Sequence, residues 1–232
     1  MFDFKIAERR RWILTAAASA AAAVGLGARS GSARADDPAK RGAEGAANVD
    51  PTAFQRWLDG IGGKHRQLYD VTEPKGGMGL AWTWVFLHTG VEGYGGTEKD
   101  LSVVVVLRHT AAVMALNSDL WAKYKLGEVA KVDDPATHAP ALRNPFVDAK
   151  PGDVPVPDAA IDKLIARGVK FAVCNMALTK RSEMVAKQIG RDPAEVRADW
   201  ILGMVPGIQL VPSGVLAVNG AQARGCAYCF AG

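Results

Sequence analysis

With three cysteines, four histidines and 7% aromatic residues, the 232-residue chain has little material for several common chemistries. Cys226 and Cys229 have CxxC spacing but no second ligand pair, which makes a poor metal site, and the lack of a histidine after Cys229 excludes c-type haem attachment. On the strand expected there the two side chains point to opposite faces, unlike a thioredoxin-type pair. Three is also an odd number, so in an oxidising compartment one bridge leaves one thiol, or all three stay reduced. The apolar run from Ile13 to Ala28 is too short and too rich in Ala and Gly to span a membrane. An excess of one charge is missing as well. The formal net charge of +4 arises in residues 1–35, which hold six basic and two acidic residues; beyond them 22 of each sign remain. Without a basic stripe interleaved with aromatics, no nucleic acid is expected as a partner.

The first 35 residues read as a targeting segment. Arg9-Arg10-Arg11-Trp12-Ile13 precedes the apolar run, and Ala33-Arg34-Ala35 offers small residues for cleavage before Asp36. This order resembles a twin-arginine signal, which implies export to the periplasm and no stable membrane anchor after cleavage. Residues 36–50 lack large apolar side chains and read as a flexible leader. The remainder, residues 51–232, suffices for one domain.

Asp50 and Pro51 predict the start of a packing helix carrying Phe54, Trp57 and Leu58. Residues 80–87 (LAWTWVFL) are expected as the first strand, with Trp82 and Trp84 on one face, followed by a glycine-rich loop from Gly90 to Gly96. That loop lacks the Lys-Ser/Thr of a P-loop and leads into another strand, so it is no phosphate cradle. Residues 101–107 (LSVVVVL) read as a strand covered on both faces, hence central and parallel. Helical spacing of Val113, Leu116, Leu120, Trp121 and Tyr124 follows. Five prolines between 127 and 156 predict an irregular excursion. A helix from Pro157 to Arg167, ended by Gly168, feeds a strand to Cys174. Further helices are expected at 176–189, at 193–204 with Asp192 as cap, and at 213–224, with strands at 208–211 and 226–230. Trp57, Trp121 and Trp200 fall on apolar helical faces. The sum is an α/β fold of three layers, α/β/α, around a mostly parallel five-stranded sheet.

Cys174 is the main candidate residue. It ends a strand where Asn175 is placed to cap a helix, at the sheet edge where ligands collect and helix N–H groups favour a thiolate. Position alone leaves two readings, a reactive thiol and an inert core cysteine. His88 and His109 each follow an expected strand. If the strands are parallel, both reach the edge where Cys174 ends and either can serve as its partner; together the three can hold a metal ion.

The pattern GVKFAVC, the helix opening with Asn175 and Met176, the segment IQLVPSGVLAV, the closing AQARGCAYCF and the earlier LSVVVVLRHTAAVMALN together resemble the DsrE/DsrF-like sulfur-relay family over most of residues 80–232. The resemblance implies a small α/β domain that self-associates as a trimer or hexamer. It implies a persulfide-bearing Cys174, a donor or acceptor protein for sulfur, and no cofactor. In that reading Asn175 and the helix behind it stabilise an anion, with His109 as partner. The competing expectation is a periplasmic ligand- or partner-binding module of the same fold without catalysis.

Overall fold

The computed structural model describes residues 49–232. The expected targeting segment over 1–35 and nearly all of the expected leader over 36–50 lie outside the described residues. Strands β1 (His65–Val71), β2 (Leu101–Leu107), β3 (Lys170–Cys174), β4 (Ile208–Val211) and β5 (Ala227–Phe230) form one sheet in the order β4-β3-β2-β1-β5. Every neighbouring pair is parallel. The valine run of β2 lies at the centre, and Val103 to Leu107 are at most 1% exposed. Burial on both faces is what permits an unbroken apolar run there.

Alternation along the strands divides the core in two. Leu68, Val104, Val106 and Ala172 face α1 (Pro51–Asp59) and α8 (Gly214–Ala223). Tyr69, Val105, Phe171 and Val173 face the other layer. That layer holds α2 (Met78–Tyr94), α6 (Asn175–Ile189) and α7 (Pro193–Leu202), with the short α3 (Ser118–Tyr124), α4 (Leu126–Ala130) and α5 (Ile161–Ala166). The arrangement is a three-layer α/β/α fold with an all-parallel sheet. Cap chemistry sets the helix starts: Asp50 accepts from Thr52 N, Asp192 from Ala194 N, and Ser213 Oγ from Leu216 N. Gly168, at φ +87°, turns the chain from α5 into β3. Trp57, Trp121 and Trp200 are buried. No helix among the described residues is long and apolar enough to cross a membrane.

Several expectations need correction. Residues 80–87 are not a strand but part of α2, so Trp82 and Trp84 do not share a strand face, and the expected loop from Gly90 is helical through Tyr94. The first strand is instead β1, whose polar residues conceal it in the sequence. Small residues explain α2: a Cβ on Gly79 would lie 2.8 Å from Val71 Cγ2, and one on Gly90 2.9 Å from Leu101 Cδ1. These glycines let the helix sit close on the sheet, a packing role rather than a loop signal. The expected helix after Thr110 is two elements, a 3₁₀ segment His109–Ala115 and then α3, capped by Asn117. The excursion between 127 and 156 includes the end of α4 and is otherwise irregular. It is tied down by Arg143, whose two terminal nitrogens each lie 2.7 Å from the Asp153 carboxylate.

Candidate functional site

Parallel pairing carries β2 and β3 to the same edge of the sheet, which brings the residues after Leu107 and the end of β3 together. A cavity of about 540 Å³ opens there, lined by Arg108, His109 and Cys174 at the strand ends, by the first turns of α6, and by Ser213 and Gly214 at the start of α8. It lies where the fold rule for open α/β sheets places ligands.

Cys174 occupies the N-cap of α6: its Sγ accepts the N–H of Ala177 at 3.3 Å. Asn175, expected as the cap, is the first helical residue instead. Cys174 comes first because β3 is still extended there, at φ −71° and ψ 112°, and an N-cap residue has that conformation. Asn175 is fully buried and turned toward α7, where its Oδ1 accepts from Arg197. Burial pushes the Arg197 guanidinium down from its ordinary pKa. Asn175 Nδ2 and Thr179 Oγ1 on α6, with Arg197 Nη1 and Trp200 Nε1 on α7, are buried without a protein hydrogen-bond partner among the described residues.

Arg108 crosses the site floor. Its Nε and Nη2 donate to Asp70 at 2.6 and 2.8 Å, and Tyr228 Oη donates to the same carboxylate at 2.9 Å. Asp70 is 2% exposed, the penultimate residue of β1 at the same carboxyl edge of the sheet. The hydrogen bonds to Asp70 raise the pKa of Arg108 further above its ordinary value. Gly214 permits this path: a Cβ there would lie 2.8 Å from Arg108 Cβ and 2.9 Å from its Cδ.

His109 is exposed, with φ +53°, in a turn pinned by Arg108 N to Val71 O and Ala111 N to Thr72 O. It lines the cavity with Cys174, but its Nδ1 meets Thr110 Oγ1 at 3.2 Å and no hydrogen bond joins it to the sulfur. His88 does not reach this edge. It sits ten residues into α2, about 15 Å along the helix axis from Met78. Its ring stacks on Trp84 at 4.6 Å between centroids. The expected meeting of His88, His109 and Cys174 is therefore excluded by the helical fold of residues 78–94. No group of three metal-ligating side chains is found among the described residues.

Cys226 packs in the core beneath α1 and α8, whereas Cys229 packs on the opposite side of the sheet, as alternation requires. All three thiols are free, and burial pushes the Cys226 thiol up from its ordinary pKa.

The sequence reading missed Arg108, Lys180, Arg181 and Gly214. Lys180 and Arg181 had a visible signal: with Met176, Ala177 and Met184 they fall on one helical face beginning just after Cys174. Asp70 had none, since β1 itself went unread. No known family's sequence model and no curated protein matches the chain.

Proposed function

We propose that this chain is a DsrE/DsrF-like protein that uses Cys174 as a sulfur-accepting or thiol-redox residue. The observation that carries the reading is the position of Sγ, at the N-cap of a 15-residue helix and facing a cavity. A sulfur at that point accepts the Ala177 N–H at 3.3 Å and faces the other N–H groups of the first turn, which stabilise negative charge on it as it attacks or leaves. With a persulfide donor R–S–SH, the thiolate bonds to the outer sulfur as the donor's S–S bond breaks. The products are Cys174–S–SH and the thiolate R–S⁻, with no external oxidant or reductant consumed. The same reading includes export to the periplasm by the twin-arginine route, self-association as a trimer or hexamer, and a protein that gives or takes the sulfur. It includes no bound cofactor.

The test is the intact mass of the protein isolated without reductant, before and after reduction, with peptide mapping of all three cysteines. A reducible gain of sulfur on Cys174, abolished in a folded Cys174→Ser variant, supports the proposal. A Cys174 that never carries sulfur and alkylates only after denaturation overturns it in favour of a ligand-binding module without catalysis.

A further inference from the structure

The cavity at Cys174 holds more positive charge than a thiol needs. No Asp or Glu lines it. The charge of Arg108 is cancelled by Asp70, but that of Arg181 has no such answer. The nearest ion-pair contact of Lys180 is Glu183 at 3.9 Å, and the Lys180 side chain is 67% exposed. Arg181 forms no ion pair among the described residues. Its Nε donates to His109 O at 3.3 Å, leaving the two terminal nitrogens without a partner among the described residues, and burial holds its pKa below the ordinary value. A half-buried guanidinium without a carboxylate is an incomplete contact. The positive ends of α6 and α8, of 15 and 10 residues, meet the same space. The remaining wall is apolar, from Met176, Met184 and Val215. A volume of about 540 Å³ suits a small organic molecule better than a bare inorganic ion.

We propose that this cavity binds a low-molecular-weight organic anion, its acidic head on Arg181 and Lys180 and its apolar body along Met176, Met184 and Val215. The proposal rests on the reading above and deepens it: the bound anion is a small persulfide R–S–SH with an acidic head on R, whose outer sulfur bonds to Cys174 as its S–S bond breaks and R–S⁻ leaves, the protein partner taking the sulfur afterwards; the binding step itself needs no thiol.

The experiment is calorimetric titration of the Cys174→Ser protein with naphthalene-2-sulfonate and with its neutral counterpart, naphthalene-2-sulfonamide. The sulfonate is expected to bind about tenfold more tightly than the sulfonamide, with an affinity that falls as salt is raised. Adding Arg181→Gln is expected to weaken sulfonate binding several-fold and sulfonamide binding less, so that the preference shrinks. If that variant fails to fold, Lys180→Gln at its exposed position reads the same field through a smaller loss of preference. Equal affinity for the two probes, binding of neither, or a preference unaffected in a folded charge variant overturns the inference. The two proposals fail separately: a Cys174 that takes no sulfur leaves the anion preference standing, and a persulfide on Cys174 beside an indifferent cavity leaves sulfur chemistry standing.

Discussion

Replacing Asp70 by alanine strips the Arg108 guanidinium of both its acceptors while leaving the backbone of β1 paired. The Asp70 side chain is 3% exposed and that of Arg108 28%, so the change leaves a largely buried cation that only the cavity mouth can hydrate. Breaking a buried pair from one side costs about 3–5 kcal/mol, and the residual access of Arg108 to water places this case near about 3 kcal/mol. Losing the Tyr228 bond adds little, because that side chain is 46% exposed and water can replace the missing carboxylate at its hydroxyl. For a domain of this size that loss lowers the melting temperature by about 6–12 °C, which circular dichroism or scanning calorimetry reads directly. The double variant Asp70→Leu with Arg108→Met is expected to recover most of the loss, since apolar replacement of an entire buried pair is close to neutral. A melting temperature within about 2 °C of the parent in Asp70→Ala would refute the reasoning. So would a double variant as unstable as the single one.

Gly214→Ala is expected to cost about 1–3 kcal/mol in chemical denaturation, because the new methyl meets the stem of Arg108 rather than a flexible tip. Tyr69, whose hydroxyl donates to Trp82 O, has its pKa raised to about 12 by burial and by the neighbouring Cys229. The unfolded tyrosine ionises near 10, so stability is intact below pH 10 and falls as pH rises toward 12. Tyrosinate absorbance should show this residue ionising only with unfolding or near pH 12. Asp153 is pushed up by burial, but its bonds to Arg143 and to Lys150 N–H outweigh that and hold its carboxyl below the usual range. Its stabilisation is therefore present above the ordinary carboxylate pKa and lost in acid. Limited proteolysis should open the irregular part of the excursion, residues 131–156, first as pH drops below about 4, and Asp153→Ala should open it at neutral pH.

The parts of the fold that sequence revealed are those where one physical demand acts alone. The valine run of β2 needs burial on both faces and nothing else, and Asp50, Asp192 and Ser213 cap helices through contacts two or three residues away. Residues 80–87 misled because two demands overlap: Trp82 and Val85 are exposed, so the helix carries apolar residues all round and shows no periodic stripe. Its inward face is built partly from Gly79, Thr83 and Gly90, which a hydrophobic pattern does not register. The reverse holds for β1, where Asp70 looks like a loop residue until Arg108, 38 positions later, neutralises it. Cys174 and His109 were legible because a strand's end places them; Arg181 and Gly214 matter only through what the fold sets opposite them.

The bond from Tyr228 to Asp70 spans 158 positions, and β5 joins the sheet only by pairing with β1. During synthesis the ribosome must therefore release nearly the entire domain before the carboxylate beneath Arg108 has all its partners. Until then β1 presents a bare edge and an incompletely satisfied acid, a state that a chaperone would bind. Completion of the network beneath Arg108 is thereby tied to completion of the fold.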